Sequence, residues 1–312
     1  MRLARRLLAA ALLSAACQGS GPRPAPALSS SAEAAPGPAA DSSGRFDLVY
    51  ERTVGGDQDI YVLPGGGLER RLTDHPGHDA LPRWSRNGRA VFFTSDRSGN
   101  WQIYRARLEG GPPVRVRTNQ TTDWQQEQSP DGTTLAFLSK QEGPEYLFLM
   151  DLGSRRERVL VRHGNQTVMG NPSWSPDGRR LVFSSNWKLG HQIYVVDAAG
   201  GEARRITSFR AGGCEPRFHP DGRRVVYVRR GFQADKSRLV TQDLETGQET
   251  ALVEWPALNY DPAFSPDGTE LAFASNITGE WVVYRQRLSD GQSWRVTYGP
   301  GPARYPDYRP AP

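Results

Sequence analysis

The 312-residue chain has few of the residues that mark common catalytic or nucleic-acid-binding classes. It has two cysteines and five histidines, and HExxH, CxxC, GxSxG and phosphate-binding glycine motifs are absent. Zinc, thiol-redox, serine-hydrolase and nucleotide sites thus have no sequence signature, and we predict no metal and no other cofactor. The net charge of +5 becomes +2 without Arg2, Arg5 and Arg6 of the apparent leader. We therefore expect no binding to nucleic acid.

The N-terminus has the pattern of a secretion signal. A basic segment, residues 1–6, precedes an apolar run over residues 7–16 that is too short to span a bilayer. Residues 13–17, Leu-Ser-Ala-Ala-Cys, resemble the lipobox of bacterial lipoproteins, in which the cysteine carries lipid. We predict a signal peptide at 1–17 with lipid on Cys17. The alternative is ordinary cleavage after Ala16, with Cys17 free or paired to Cys214.

Residues 18–44 have the composition of a linker. Of these 27 residues, 22 are Gly, Pro, Ala or Ser, and they show no hydrophobic period. Gln18 is not the Asp that commonly retains lipoproteins at the inner membrane, so we expect an outer-membrane anchor facing the periplasm. The linker would hold a monomeric folded head away from that membrane.

From residue 45 the chain repeats itself six times. An apolar triplet recurs at Leu48-Val49-Tyr50, Val91-Phe92-Phe93, Leu135-Ala136-Phe137, Leu181-Val182-Phe183, Val225-Val226-Tyr227 and Leu271-Ala272-Phe273. Each triplet is followed by another short strand, and most are preceded by an aromatic residue and then a turn, such as Ser-Pro-Asp-Gly at 175–178 and 265–268. A further strand is expected near Thr73, Thr118, Thr207 and Thr297. Four short strands in about 45 residues are typical of a β-propeller blade.

The two ends of the repeat region predict how the ring closes. The innermost, aromatic-ended strand recurs at Trp84, Gln128, Trp174, Phe218 and Phe264, but no copy precedes the first triplet. A copy without a following blade ends at Tyr308. We therefore predict an all-β, six-bladed propeller over 45–312, with four-stranded antiparallel blades and the first blade completed by the C-terminal strand.

The repeat Pro-x-Trp-Ser-Pro-Asp-Gly, followed by an apolar triplet and Ile-Tyr, resembles the WD-like propeller repeats of the TolB family. The resemblance covers about 85% of the chain. It implies a periplasmic envelope protein of the Tol-Pal type, with a protein or peptide partner that is Pal-like or otherwise unidentified. TolB-like proteins carry an α/β domain before the propeller, and here a linker and a lipid would replace it.

One face of the ring is expected to carry function because its loops differ among the repeats while the Pro-Asp-Gly turns on the other face do not. We call it the loop face, and it includes residues 96–101, 186–191, 229–237 and 276–281. Its aromatic and arginine content resembles a protein interface. The predicted partner-binding residues are Arg97, Trp101, Trp124, Trp187, Arg230, Phe232, Tyr260 and Trp281. For Trp101 and Trp281, which occupy equivalent repeat positions, local packing is the alternative.

The repeat register also places one residue per blade at the mouth of the central channel. This mouth ring consists of Leu81, Gln125, Asn171, Glu215, Asp261 and Tyr305. Glu215 and Asp261 lie on adjacent blades and could share a cation or act as an acid and base pair. The alternatives to a binding scaffold are thus a hydrolase or lyase that uses these two carboxylates, and a glycan-binding module that uses exposed Trp rings.

Overall fold

The structure is a computed structural model that describes residues 46–311 apart from positions 165, 189 and 232. These residues form 24 strands in six four-stranded antiparallel sheets. The sheets are the six blades of a propeller, so the fold predicted from the repeat is confirmed. The signal peptide predicted at 1–17, with Cys17, and the linker predicted at 18–44 lie outside the described residues.

The first three blades share one arrangement of strands from the central channel outward. Blade 1 contains β24 (Ala303–Tyr308), β1 (Leu48–Val54), β2 (Asp57–Leu63) and β3 (Arg70–Arg71). Blade 2 contains β4 (Asp79–Trp84), β5 (Ala90–Ser95), β6 (Gln102–Arg107) and β7 (Val114–Arg115). Blade 3 contains β8 (Asp123–Gln128), β9 (Thr134–Ser139), β10 (Tyr146–Asp151) and β11 (Glu157–Val161).

The other three blades follow the same order. Blade 4 contains β12 (Met169–Trp174), β13 (Arg180–Ser185), β14 (Gln192–Asp197) and β15 (Arg204–Arg205). Blade 5 contains β16 (Gly213–Phe218), β17 (Arg224–Arg230), β18 (Ser237–Asp243) and β19 (Glu249–Val253). Blade 6 contains β20 (Asn259–Phe264), β21 (Glu270–Ser275), β22 (Val282–Arg287) and β23 (Ser293–Arg295).

The outer strands end slightly earlier than predicted. In blades 1, 4 and 6 the threonine expected in the strand lies just beyond it, and its hydroxyl accepts a hydrogen bond from the third strand. These bonds join Ile60 N to Thr73, Ile193 N to Thr207 and Val283 N to Thr297 at 2.9–3.0 Å. A side-chain oxygen thus replaces the backbone acceptor where the ladder stops.

The second strand of each blade forms the core. No residue of the six apolar triplets is more than 3% exposed, because each triplet is covered by the blades on both sides. The recurring Ser-Pro-Asp-Gly turns join these strands to the innermost ones. In blade 4, Gly178 has a φ of 69° and its N–H donates to Ser175 O at 2.9 Å, as expected for a tight turn that ends on glycine.

The C-terminal strand closes the ring as predicted. β24 pairs antiparallel with β1, with Leu48 opposite Tyr308 and Arg52 opposite Ala303. Tyr308 is 5% exposed, and its hydroxyl donates to Glu270 at 3.0 Å in blade 6. The last strand therefore completes blade 1 and contacts the blade before it. Open sheet edges at the two ends of the array are avoided in this way.

Candidate functional site

The mouth ring is the place where every innermost strand departs from regular β-structure. All six of its residues have a left-handed backbone, with φ between 50° and 56°. At the same positions a β-bulge shifts the pairing with the second strand. Non-glycine residues rarely adopt this conformation, so its recurrence in all six blades is a built feature of the channel. The bulge also takes the ring residue's N–H out of the ladder.

Side chains from the preceding blade accept several of these N–H groups. The bonds run from Asn171 N to Gln125 Oε1 at 2.8 Å, from Asp261 N to Glu215 Oε2 at 2.6 Å and from Tyr305 N to Asp261 Oδ2 at 3.3 Å. Buried N–H groups without an acceptor are costly. The polar residues of the mouth ring therefore accept the hydrogen bonds of N–H groups that the bulges leave unpaired. They also join blade 3 to blade 4, blade 5 to blade 6 and blade 6 to blade 1.

Leu81 uses a different acceptor, because the preceding ring residue is a tyrosine. Its N–H donates to Oε2 of Glu51 on β1 at 2.8 Å. Burial raises the pKa of Glu51 to about 7, although this backbone hydrogen bond opposes the shift. Glu51 thus adds another carboxyl group to the lining beside the mouth ring.

Glu215 and Asp261 lie side by side as the repeat register predicts, but each is only 5% exposed. Arg304 of β24 donates from Nε and Nη2 to the two oxygens of Asp261 at 2.8 and 3.0 Å. It also lies 4.0 Å from Glu215. Burial, followed by the charge of Asp261, raises the pKa of Glu215 well above its usual range. A guanidinium of the chain thus pairs with Asp261 beside Glu215, and this arrangement does not favour an acid and base pair that acts on substrate.

Aromatic rings enclose the Arg304 guanidinium. Its carbon lies 4.5 Å from the ring centre of Trp281, 4.7 Å from that of Tyr305 and 5.8 Å from that of Tyr260, all within cation–π range. Tyr260 is 3% exposed and Trp281 is partly buried. The expectation of an exposed Tyr260 is wrong, because its ring packs inside this cage. Trp281 also faces the cage, as its alternative of local packing predicted.

Three other predicted interface residues contact the interior. Arg97 donates to both oxygens of the buried Asp79 carboxylate at 2.6 and 2.9 Å. Trp101 is 8% exposed and packs in the apolar cluster beside the mouth ring, and Trp124 is 7% exposed in the core shared by blades 3 and 4. The expectation that these indoles are exposed is wrong, because Trp124 lies on the innermost strand β8 and packs into the core, while Trp101 packs beside Leu81 and Tyr305.

An open part of the loop face remains. Trp187 is half-buried, stacked on His163 at 4.1 Å with the Lys188 ammonium 4.1 Å from its ring centre. Arg230 is half-exposed, and within the described ranges its guanidinium has no ion-pair partner. Gln125 and Asn171 of the mouth ring are also half-exposed. We call Gln125, Asn171, Trp187 and Arg230 the open mouth patch. Phe232 lies outside the described residues.

A second ring of channel residues was missed at the level of sequence. It consists of Arg83, Glu127, Ser173, Arg217, Ala263 and Asp307, two positions after each member of the mouth ring. The Arg217 guanidinium forms ion pairs with Glu127 and, at 3.2 Å, with Asp307. These partners belong to blades 3 and 1, which are not neighbours of blade 5. The ion pairs therefore cross the central axis. The repeat register that located the mouth ring would have found this ring as well.

Arg83 adds a further cation to the second ring. Its Nη1 donates to the Pro82 carbonyl at 2.9 Å, and within the described residues it forms no ion pair. Burial, followed by the charge of Arg217, lowers the pKa of Arg83. The channel thus carries several charged groups, and the ion pairs of Arg217 span it.

Comparisons with known proteins agree with this architecture. The family model for the TolB beta propeller domain matches residues 28–167, 127–231 and 213–311. The chain belongs to the TolB β-propeller family. A solved TolB from Acinetobacter baumannii superimposes with a TM-score of 0.75 at 19% identity, over 85% of this chain and 67% of that one. This likeness shows the shared fold.

Sequence relatives of the family differ in their stated roles. A TolB homologue of Chlorobium luteolum is 30% identical over 161 residues, which are 52% of this chain and 36% of that protein. An uncharacterized peptidase of Bacillus subtilis is 28% identical over 193 residues, 48% of this chain and 29% of that protein. The chain spans between 29% and 46% of the length of these and similar curated relatives. Membership in the family therefore does not assign an activity.

Among the described residues, no group of three or more His, Cys, Asp or Glu side chains is placed to hold a metal ion. No helix in this part of the chain is long and apolar enough to cross a membrane.

Proposed function

We propose that this chain is a non-catalytic periplasmic propeller that binds an envelope protein or peptide at the open mouth patch. The observation that carries the proposal is the contrast between Arg230 and the other predicted contact arginine. Arg97 is bonded to Asp79, whereas Arg230 has no ion-pair partner within the described residues. Half-exposed arginine and tryptophan side chains, such as those of Arg230 and Trp187, are typical of residues that anchor protein interfaces.

Ion pairs across the channel limit how such a partner binds. Arg217 crosses the axis, and Arg304 holds Asp261 on the side of blades 1 and 6. We therefore propose that the partner covers the mouth and does not thread through it. The cations of Arg230 and Lys188 favour a partner segment that carries carboxylates.

A double variant, Trp187→Ala with Arg230→Ala, tests the patch. We expect it to lose about tenfold or more in affinity for the envelope partner, because aromatic and arginine anchors each contribute more than about 1 kcal/mol at interfaces. The measurement is recovery of cross-linked partner from intact cells, followed by titration of the partner identified by mass spectrometry. The matched control is Arg179→Ala, an exposed arginine on the opposite, turn face.

Melting curves of the variants distinguish lost contact from lost folding. Recovery of every partner at the wild-type level by the double variant would contradict the open mouth patch as the binding surface. So would an equal loss in Arg179→Ala. A measurable turnover that Glu215→Gln abolishes would instead favour the enzymatic alternative, while retention on peptidoglycan without a protein partner would favour glycan binding.

We further propose that lipid on Cys17 anchors the mature protein to the outer membrane. The lipobox-like residues 13–17 and the linker-like composition of residues 18–44 support this. Several buried acyl chains give firm anchoring, since each methylene contributes about 0.8 kcal/mol. Cys17→Ser should move the protein from the membrane fraction to the soluble fraction. A mature wild-type chain in which mass spectrometry finds Cys17 unmodified, or disulfide-linked to Cys214, would overturn the anchor.

A further inference from the structure

Away from the channel, a groove of about 600 Å³ lies between blades 2 and 3 on the turn face. Four arginines line it, against two acidic residues, Glu109 and Asp131. The arginines are Arg86, Arg89, Arg105 and Arg107. All four are exposed, and within the described part of the chain none of their guanidinium groups has a hydrogen-bond or ion-pair partner. This basic groove is separate from the open mouth patch.

Among the described residues, neither acidic side chain of the groove forms an ion pair with these arginines, and two carboxylates offset only half of the charge of four arginines. Asp131 is held by its own turn, where it accepts hydrogen bonds from Ser129 Oγ at 2.5 Å and from the N–H and hydroxyl of Thr133 at 3.0 and 2.9 Å. The ordinary role of this residue in the repeat is to close the turn. Glu109 is exposed and forms no ion pair among the described residues. The groove thus presents uncompensated positive charge.

Comparison with the next groove shows that this charge is particular to blade 2. The groove between blades 3 and 4 has about the same volume, 630 Å³, and the corresponding turn and strand residues. Its charged lining is reversed, with two arginines against four acidic residues. The arginines are Arg156 and Arg158, and the acidic residues are Asp131, Asp151, Glu157 and Asp177. A similar volume with opposite charge makes the second groove a control contained in the same molecule.

The repeat register identifies the substitutions responsible. Opposite the first residue of the second strand, blade 2 has Arg107, whereas blades 3, 4 and 5 have Asp151, Asp197 and Asp243. In the turn, Arg86-Asn87 replaces the Pro-Asp of blades 3 to 6. Blade 6 also has two arginines in its third strand, but Arg285 is buried and Arg287 pairs with Asp290 at 2.9 Å. Blade 2 therefore has an arginine without an ion pair among the described residues at the position where blades 3 to 5 have an aspartate.

Arginine, unlike lysine, presents a planar fork that binds two oxygens of one phosphate or carboxylate. Arg105 and Arg107 are two residues apart on one strand and point to the same side, so both forks reach one ligand. The volume of the groove suits a small molecule. We propose that this groove binds a small soluble ligand that carries two linked phosphate groups. A diphosphate supplies several negative charges within the reach of the paired arginines, which a single carboxylate does not.

The test is calorimetric titration of the full-length protein with inorganic pyrophosphate at low ionic strength. We expect saturable binding at one site per chain, weakened by added salt. Arg105→Ala with Arg107→Ala should weaken it by about tenfold or more, because two charge-assisted contacts are lost. Arg156→Ala with Arg158→Ala, the same change in the control groove, should leave the affinity unchanged. All four side chains are exposed, so these variants are expected to fold.

A third variant, Arg107→Asp, restores the residue found in blades 3 to 5 and should abolish binding. The proposal is overturned if pyrophosphate shows no saturable binding up to about 10 mM, because a dissociation constant above that concentration is too weak for specific binding. It is equally overturned if the two double variants lose affinity alike, or if citrate binds and pyrophosphate does not. Failure of the open mouth patch test leaves this result unaffected, since the groove lies on the other face.

Discussion

A chain shortened by residues 303–312 should melt about 15 °C or more below the full-length protein, because it loses the strand that closes the ring. The deletion removes the pairing between β24 and β1 and the buried side chains of Tyr305 and Tyr308. Burial of each large aromatic side chain contributes about 1.5–3 kcal/mol. In a domain of this size about 1 kcal/mol corresponds to roughly 2–4 °C. Thermal unfolding followed by circular dichroism measures the effect.

The matched control for this deletion removes only residues 310–312, which follow the last strand. The control should melt within a few degrees of the full-length chain. The long deletion also uncovers the edge of β1, so we expect concentration-dependent association of the shortened protein. If the two truncated chains melted at the same temperature, the C-terminal strand would not be what closes the propeller.

Arg304→Ala should destabilise the protein by about 3–5 kcal/mol, which is the usual cost of leaving a buried charge without its partner. The variant removes the two hydrogen bonds to Asp261 and the cation that fills the cage of Trp281 and Tyr305. Asp261 would then remain buried beside Glu215. Urea unfolding at neutral pH gives the difference in the free energy of unfolding.

Arg309→Ala is the control, because this arginine also pairs with a carboxylate and contacts an indole but lies at the surface. Its side chain is 39% exposed, with Nη1 at 2.7 Å from Asp47 Oδ2. Surface ion pairs contribute about 0–1 kcal/mol, so a small loss is expected. Arg304→Lys keeps the charge without the two-pronged contact and should lie between the two. An Arg304→Ala loss no larger than that of Arg309→Ala would show that the cage does not stabilise the fold.

The blade number and the closure of the ring could be predicted from sequence because they depend on spacing. Each unit of about 45 residues repeats the same turn, and Tyr308 is the extra copy of the innermost strand. Register also located the mouth ring. It did not reveal the left-handed backbone there, because Leu81 and Tyr305 share that conformation with Asn171 and have no common side-chain property that would signal it.

The accessibility of the loop-face side chains could not be predicted in the same way. Trp124 and Trp187 both lack counterparts in the other repeats, yet Trp124 is buried and Trp187 is half-buried. Trp124 lies on the innermost strand β8, whereas Trp187 lies in a turn, and the difference depends on packing against neighbouring blades, which spacing along one chain does not encode. Arg304 was missed for a related reason. It occupies a position at which other blades have Ala, Trp, Gly, Cys or Tyr, and its partner Asp261 is distant in sequence.

The ion pairs of Arg217 have a consequence for how the fold can evolve. In a repeat array whose units touch only their neighbours, a unit can be gained or lost at little cost to the rest. Here the Arg217 side chain joins blades 5, 3 and 1 across the channel of a ring with six blades. Duplicating or deleting one blade would change the width of the channel and separate Arg217 from Glu127 and Asp307. We therefore expect the number of blades to change only together with these three residues.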